Sequence, residues 1–223
     1  MDTLKQKFNS IAQGETAQKF EKYYELLIEW NNKFNLTAIT EREEVYLKHF
    51  ADSIAAADML KGKVLDIGAG AGFPSIPLKI VRSDLEIVMA DSLLKRVGFL
   101  NEVVKSLDLK GIEAVHTRVE DIKEKEHFDF AVARAVAPMR TLAEYMLPFV
   151  KEGGQAIAYK SENVDEELSE AENAIKKLGG AKPEVIRFNL SEDTVRTLVV
   201  IKKIKHTPMR FPRGKNLPRK QPL

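Results

Sequence analysis

The chain predicts an α/β fold: a seven-stranded, mostly parallel sheet with an antiparallel last strand, plus an N-terminal helical extension. Three observations carry this. From residue 63 onward, short apolar runs alternate with stretches of helical periodicity, the pattern of right-handed crossovers in a parallel sheet covered on both faces. The last two strand-like runs are separated by residues 191–193 alone, a hairpin-length link that makes the final strand antiparallel to its neighbour. Before residue 60, apolar residues recur instead at three- and four-residue steps, which is helical spacing.

The elements follow in order. Phe20, Tyr23, Leu27, Trp30 and Phe34 form one apolar stripe, a face destined for the core. The sequence "TERE" at 40–43 has the spacing of a capping box and predicts a helix running to about Ala57. Strands are expected at 63–68, 85–91, 112–117, 128–135, 155–160, 184–190 and 194–204. Helices are expected at 74–81, 93–107, 139–150 and 164–178. These limits divide the chain into a helical extension (1–60) packed on a core domain (61–205) and a basic tail (206–223).

Composition narrows the function. Hydrophobic residues make up 44% of the 223 residues, enough for a real core. There is no cysteine, which removes disulfides, cysteine metal sites and cysteine nucleophiles. No apolar run approaches the ~18 residues of a membrane span, and the first residues lack the basic-then-apolar order of a signal peptide. A cytoplasmic protein, without a membrane or metal requirement and acting as a monomer, is the expectation. Charge is unevenly placed: residues 202–223 carry eight lysines and arginines and no acid, against an acidic remainder. A basic end on an acidic body fits a polyanionic partner. It equally fits a solvated tail.

The stretch "VLDIGAGAGFPSIPL" (64–78) holds the chemistry. Gly68, Gly70 and Gly72 follow a strand that ends in an acid, Asp66, and precede Phe73 and a helix. Glycines permit positive φ and let a ligand approach the main chain, at the carboxyl end of a parallel sheet where ligands bind. The spacing G-x-G-x-G differs from the G-x-G-x-x-G of dinucleotide sites. Asp66 would repel a pyrophosphate but suit a cationic ligand such as S-adenosylmethionine. Asp91, at the end of the second strand, is placed to accept ribose hydroxyls, or to cap the helix that follows. Val119 and Glu120, after the third strand, are placed to face an adenine, or serve as a helix start. Arg134, in the apolar fourth strand, must be paired or ligand-facing.

The turn after the fourth strand reads "RAVAP", where many amine methyltransferases have an N-P-P-[YF]-like acceptor. With no cysteine for carbon methylation and no evident general base, the chemistry fits guanine N7, whose in-plane lone pair carries no proton. Alignment and exclusion of water then supply much of the rate. N7 lies in the deep, narrow major groove of A-form RNA, so the base must be looped out or extruded. A basic tail would hold backbone phosphate. Two rivals remain at this point: a dinucleotide-dependent oxidoreductase on the same sheet, and an RNA-binding protein without chemistry.

The chain resembles the ribosomal RNA small-subunit methyltransferase G family, also called glucose-inhibited division protein B. The resemblance is carried by "WNNKFNLTAI" (30–39), "HFADSI" (49–54), the glycine stretch, "DSLLKRVGFL" (91–100), "FDFAVARAVAP" (128–138) and "FPRGKNLPRKQPL" (211–223). It implies a Rossmann-like class I S-adenosylmethionine-dependent methyltransferase that modifies N7 of a guanine in 16S ribosomal RNA or the small ribosomal subunit. It implies cofactor contacts at Gly68, Phe73, the turn Asp91, Ser92 and Leu93, Val119, Glu120 and Arg134, in addition to the Asp66, Gly70 and Gly72 of the loop. His49 and Asp52 lie one helical turn apart in a shared motif; His49, Asn35 and Arg134 are candidates for contact with the target base, although a lone histidine is more often structural. Arg210, Arg213, Lys215, Arg219 and Lys220 are the expected RNA contacts. Asn216 stands where the family usually has glycine, in a turn that asparagine should tolerate.

Overall fold

A computed structural model describes residues 3–223. Seven strands form one sheet in the order β3-β2-β1-β4-β5-β7-β6. They are β1 (Lys63–Ile67), β2 (Glu86–Asp91), β3 (Ile112–His116), β4 (Phe128–Arg134), β5 (Val150–Lys160), β6 (Glu184–Ser191) and β7 (Thr194–Lys202). The pairs among β1 to β5 are parallel. β7 inserts between β5 and β6 and runs antiparallel to both. The chain order reverses between β1 and β4, which opens a crevice at the carboxyl ends of the strands.

Helices α1 (Leu4–Ile11) and α2 (Gly14–Asn31) form the extension, followed by α3 (Arg42–Val45). The core adds α4 (Ser75–Val81), α5 (Leu94–Ser106), α6 (Met139–Met146), α7 (Asp165–Lys177) and the short α8 (Leu217–Lys220). Side chains alternate across the sheet. Val64, Ile87, Met89, Val132 and Ile157 pack with Phe20, Tyr23, Leu27 and Phe50 of the extension. Leu65, Ile67, Ala131, Ala133 and Ala156 pack with Leu142, Met146 and Ile175 on the other face. Two-sided burial explains why these strands are almost continuously apolar.

Three expectations need correction. The capping box at 40–43 does not form: α3 begins after Glu41 without a side-chain cap, and the Thr40 carbonyl accepts the Tyr24 hydroxyl instead. The helix then widens into a π-helical turn, Tyr46–Ala51, which carries His49. The helix expected at 139–150 stops at Met146, and a tight turn Leu147–Phe149 containing Pro148 leads into β5; proline lacks the N–H that would continue the helix. Finally, the sheet is not covered on both faces throughout. The β3–β4 connection holds only the single turn Val119–Asp121, leaving a hollow of about 830 Å³ against Leu65, Val88, Val115 and Phe128. That hollow also reaches the amino-end residues Lys63, Glu86 and Gly111, away from the carboxyl-end crevice.

Candidate active site

At the carboxyl ends of β1, β2 and β4 lies a second cavity, of about 480 Å³. Six expected residues line it: Gly68, Asp91, Ser92, Leu93, Val119 and Glu120. Thr117, Arg118, Ala135, Val136 and Tyr145 complete much of the wall. Sequence reasoning missed these. For Ala135 a signal existed: it follows Arg134 at the end of an apolar strand and holds a left-handed φ of 56°, an unusual conformation for a residue with a Cβ.

Asp91 is 3% exposed and organises the loop. Its Oδ2 accepts the Gly70 N–H at 2.9 Å and its Oδ1 accepts the Leu93 N–H at 2.9 Å. The N-cap position of α5 is Leu93, so Asp91 is not the helix cap. Each carboxylate oxygen retains lone-pair capacity toward the cavity.

The glycines divide their work. A Cβ on Gly68 would lie 2.9 Å from Val136 Cγ2, so its bareness lets β1 and β4 close around the cavity floor. A Cβ on Gly72 would lie 2.5 Å from Ile76 and 2.7 Å from the Tyr23 hydroxyl. Gly72 therefore makes room for a protein side chain: Tyr23, fully buried, donates its hydroxyl to the Ala71 carbonyl and pins the loop to the extension.

Asp66, Gly70, Gly72, Phe73 and Arg134 do not line the cavity. Strand alternation places Asp66 and Arg134 on the face of Val64 and Val132, beneath the extension. Asp66 is fully buried, and neither carboxylate oxygen forms a hydrogen bond, nor does the neighbouring Ser75 hydroxyl. Burial pushes its pKa up to about 7, opposed by the nearby polar groups of Ser75 and by the Arg134 charge, none of which meets a carboxylate oxygen in hydrogen-bonding geometry. An orphaned buried carboxylate needs a donor or a cation, which fits the ammonium end of S-adenosylmethionine, while Asp91 fits its ribose.

Arg134 Nη1 lies 3.0 Å from Asp52 Oδ2 and also donates to the Lys48 carbonyl at 3.2 Å. Its Nη2 donates to His49 Nδ1 at 3.1 Å, and the guanidinium lies over the Phe73 ring, 4.8 Å from its centre. A guanidinium only donates, so His49 Nδ1 accepts and the imidazole proton sits on Nε2, directed to Thr37 Oγ1 at 2.8 Å. Burial, reinforced by Arg134, lowers the His49 pKa to about 4, so the ring is neutral near pH 7. It stacks on Phe73 with centres 4.5 Å apart. His49 is thus clamped between groups of the protein, and Asn35 is exposed on the loop after α2.

The five tail residues expected to contact RNA lie in different surroundings. Arg213 bonds the fully buried carboxylate of Glu144 through its main-chain N (2.7 Å) and its guanidinium (2.7 and 2.9 Å). Arg219 and Asn216 line the cavity. Arg210, Lys215 and Lys220 are exposed.

The family model described as rRNA small subunit methyltransferase G matches residues 16–196. Curated relatives called "Ribosomal RNA small subunit methyltransferase G" include one from Lachnoclostridium phytofermentans, 52% identical over 92% of this chain and 89% of its own length. One from Exiguobacterium sibiricum is 49% identical over 92% and 90%. One from Streptococcus pneumoniae is 46% identical over 94% and 92%. Among solved structures, a SAM-dependent methyltransferase from Aquifex aeolicus aligns with a TM-score of 0.55 at 20% identity, covering 74% of this chain and 94% of that one. M. jannaschii TYW2 in complex with AdoMet aligns with a TM-score of 0.54 at 17% identity, covering 69% and 77%. At those identities the structures establish the Rossmann-like fold. The family match and the curated relatives, which span nearly the whole chain, establish more: this chain belongs to the rRNA small subunit methyltransferase G family.

Proposed function

We propose that this protein transfers a methyl group from S-adenosylmethionine to N7 of a guanine in 16S ribosomal RNA. The observation that carries this reading is the pairing of an unpartnered buried carboxylate, Asp66, with a cavity edged by Asp91, Val119 and Glu120. The carboxylate beneath the glycine loop suits a cation, and the cavity beside it suits a nucleoside. When bound, S-adenosylmethionine supplies an electrophilic methyl group on a cationic sulfur.

The remaining work belongs to the chain. Asp91 accepts from the ribose hydroxyls and fixes the glycine loop through Gly70. Gly68 offers bare main chain, and Val119 offers an apolar surface to the base. Asp66, under the loop, balances positive charge. Guanine N7 carries no proton to be removed, so no side chain has to act as a base; the clamped, neutral His49 is consistent with that. Arg134 is held by Asp52 and the π-helical turn, so that the extension and the sheet meet at the site as one unit. The enzyme acts in the cytoplasm as a monomer. The substrate enters as an extruded base, from naked RNA or the assembled subunit, with Arg210, Lys215 and Lys220 holding phosphate.

Incubation with radiolabelled cofactor and undermethylated small subunits should place label in 16S RNA, recovered as 7-methylguanine. No incorporation beside an active control would overturn the reading.

A further inference from the structure

The last part of the chain, expected to grip RNA, also completes the cavity wall. Residues 207–221 cross α6 as a strap. Phe211 is buried, Arg213 holds Glu144, and Thr141 Oγ1 donates to the Pro218 carbonyl at 3.0 Å. The strap then reaches the cavity mouth. The Asn216 N–H donates to Glu120 Oε1 at 3.2 Å, and the Arg219 guanidinium donates to the Val136 carbonyl at 3.0 Å. Both side chains line the same cavity as Gly68, Asp91 and Glu120. Lys215 and Asn216 hold successive left-handed φ values of 58° and 59°, conformations that a free solvated tail would not keep.

We propose that Asn216 and Arg219 belong to the cofactor site: Asn216 is a positioning residue that orients Glu120, and Arg219 ties the strap over the nucleoside end of the ligand. This rests on the cofactor reading above. Without the Asn216 N–H, the Glu120 carboxylate is free to change rotamer. Without Arg219, the strap loses its attachment to the β4–α6 turn and the cavity opens on one side. Arg210, Lys215 and Lys220 remain outside, available to phosphate. One segment therefore serves two ligands, and Arg219 belongs to the inner one.

S-adenosylhomocysteine, which is unreactive, is the probe. Titration calorimetry on the full-length chain should show binding weakened about tenfold or more in Arg219→Met and in Asn216→Val, whose branched Cβ opposes the left-handed turn. Asn216→Gly, which keeps the N–H and the turn, should bind within twofold of wild type. Lys220→Met, an equal loss of charge on the outer face, should leave S-adenosylhomocysteine affinity unchanged and reduce affinity for a 16S RNA fragment. Arg219 is exposed, so its replacement leaves the core intact, and melting curves verify folding. Affinity within twofold of wild type in both Arg219→Met and Asn216→Val overturns the proposal. No binding by the wild-type chain overturns the cofactor reading itself, and the strap's role with it.

Discussion

Arg134 on β4 and Asp52 in the extension form a buried ion pair, with side chains 13% and 8% exposed and 3.0 Å between Nη1 and Oδ2. The charge that sequence reasoning placed in the cofactor crevice is committed first to joining two parts of the fold.

Removing one partner strands the other. Asp52→Ala should destabilise the protein by about 3 kcal/mol, the usual cost of leaving a buried charge alone, read by urea unfolding. Arg196, 3.8 Å from Asp52, loses the same acid, so the substitution leaves two guanidinium groups unpaired. Arg134→Ala should weaken cofactor or RNA binding strongly in protein that still folds. Normal turnover in that variant would contradict a role at the site.

Asp66 should report ligand charge. With a pKa of about 7 in the free protein, it is largely protonated at pH 6. A cationic ligand end lowers that pKa, so binding S-adenosylhomocysteine at pH 6 should release a fraction of a proton. Calorimetry in buffers of different ionisation enthalpy measures it. The release should vanish above pH 8, where Asp66 is already ionised, and in Asp66→Asn at any pH. Equal release by wild type and variant would refute the assignment.

The same residue shapes stability in the opposite sense to His49. The native state holds the Asp66 proton up to about pH 7, against a usual 3.8. Stability from this group therefore falls as pH rises from about 4 to 7, by up to about 1.4 kcal/mol per unit. His49 is depressed from 6.5 to about 4, so its contribution is complete above pH 6.5 and lost as pH falls toward 4. Denaturant midpoints across this window should show Asp66→Asn gaining on wild type with rising pH, and His49→Gln gaining on wild type with falling pH. Parallel profiles for all three would exclude both shifts.

Two glycines of one loop should respond differently to alanine. Gly70→Ala meets only an ordinary contact, 3.8 Å from Gly68 O, and costs the left-handed penalty of roughly 1–2 kcal/mol. Gly72→Ala adds collisions with Ile76 and Tyr23, raising the cost to roughly 2–5 kcal/mol. Gly72→Ala in a Tyr23→Phe background tests the hydroxyl's share. Equal melting temperatures for the two single variants would show that the loop yields.

The central strands β1, β2, β4 and β5 were legible because they are largely buried and read as apolar runs; β3 and β6 are more exposed and were found by their place in the alternation. The place of β7 was not. A hairpin fixes β6 beside β7, but nothing local says which of the two meets β5. Six of the residues edging the carboxyl-end cavity were also legible, since they sit at or just after strand ends. The packing reason for Gly72 was hidden, because Tyr23 lies 48 positions from Ala71 and local spacing cannot reveal it. The internal partner of Arg213 was hidden for a similar cause: its acid, Glu144, is separated by 69 positions, so a run of basic residues conceals one internal anchor among exposed charges.

The hydrogen bond between Glu120 and Asn216 spans 96 positions, and the residues that make it leave the ribosome far apart in time. During synthesis the five parallel strands precede the strap. A nick by a protease in the segment after β7 would therefore leave a sheet able to persist yet poor at retaining its small ligand. Competence would arrive only with the final docking event, so that unfinished or clipped copies stay silent instead of competing for cofactor.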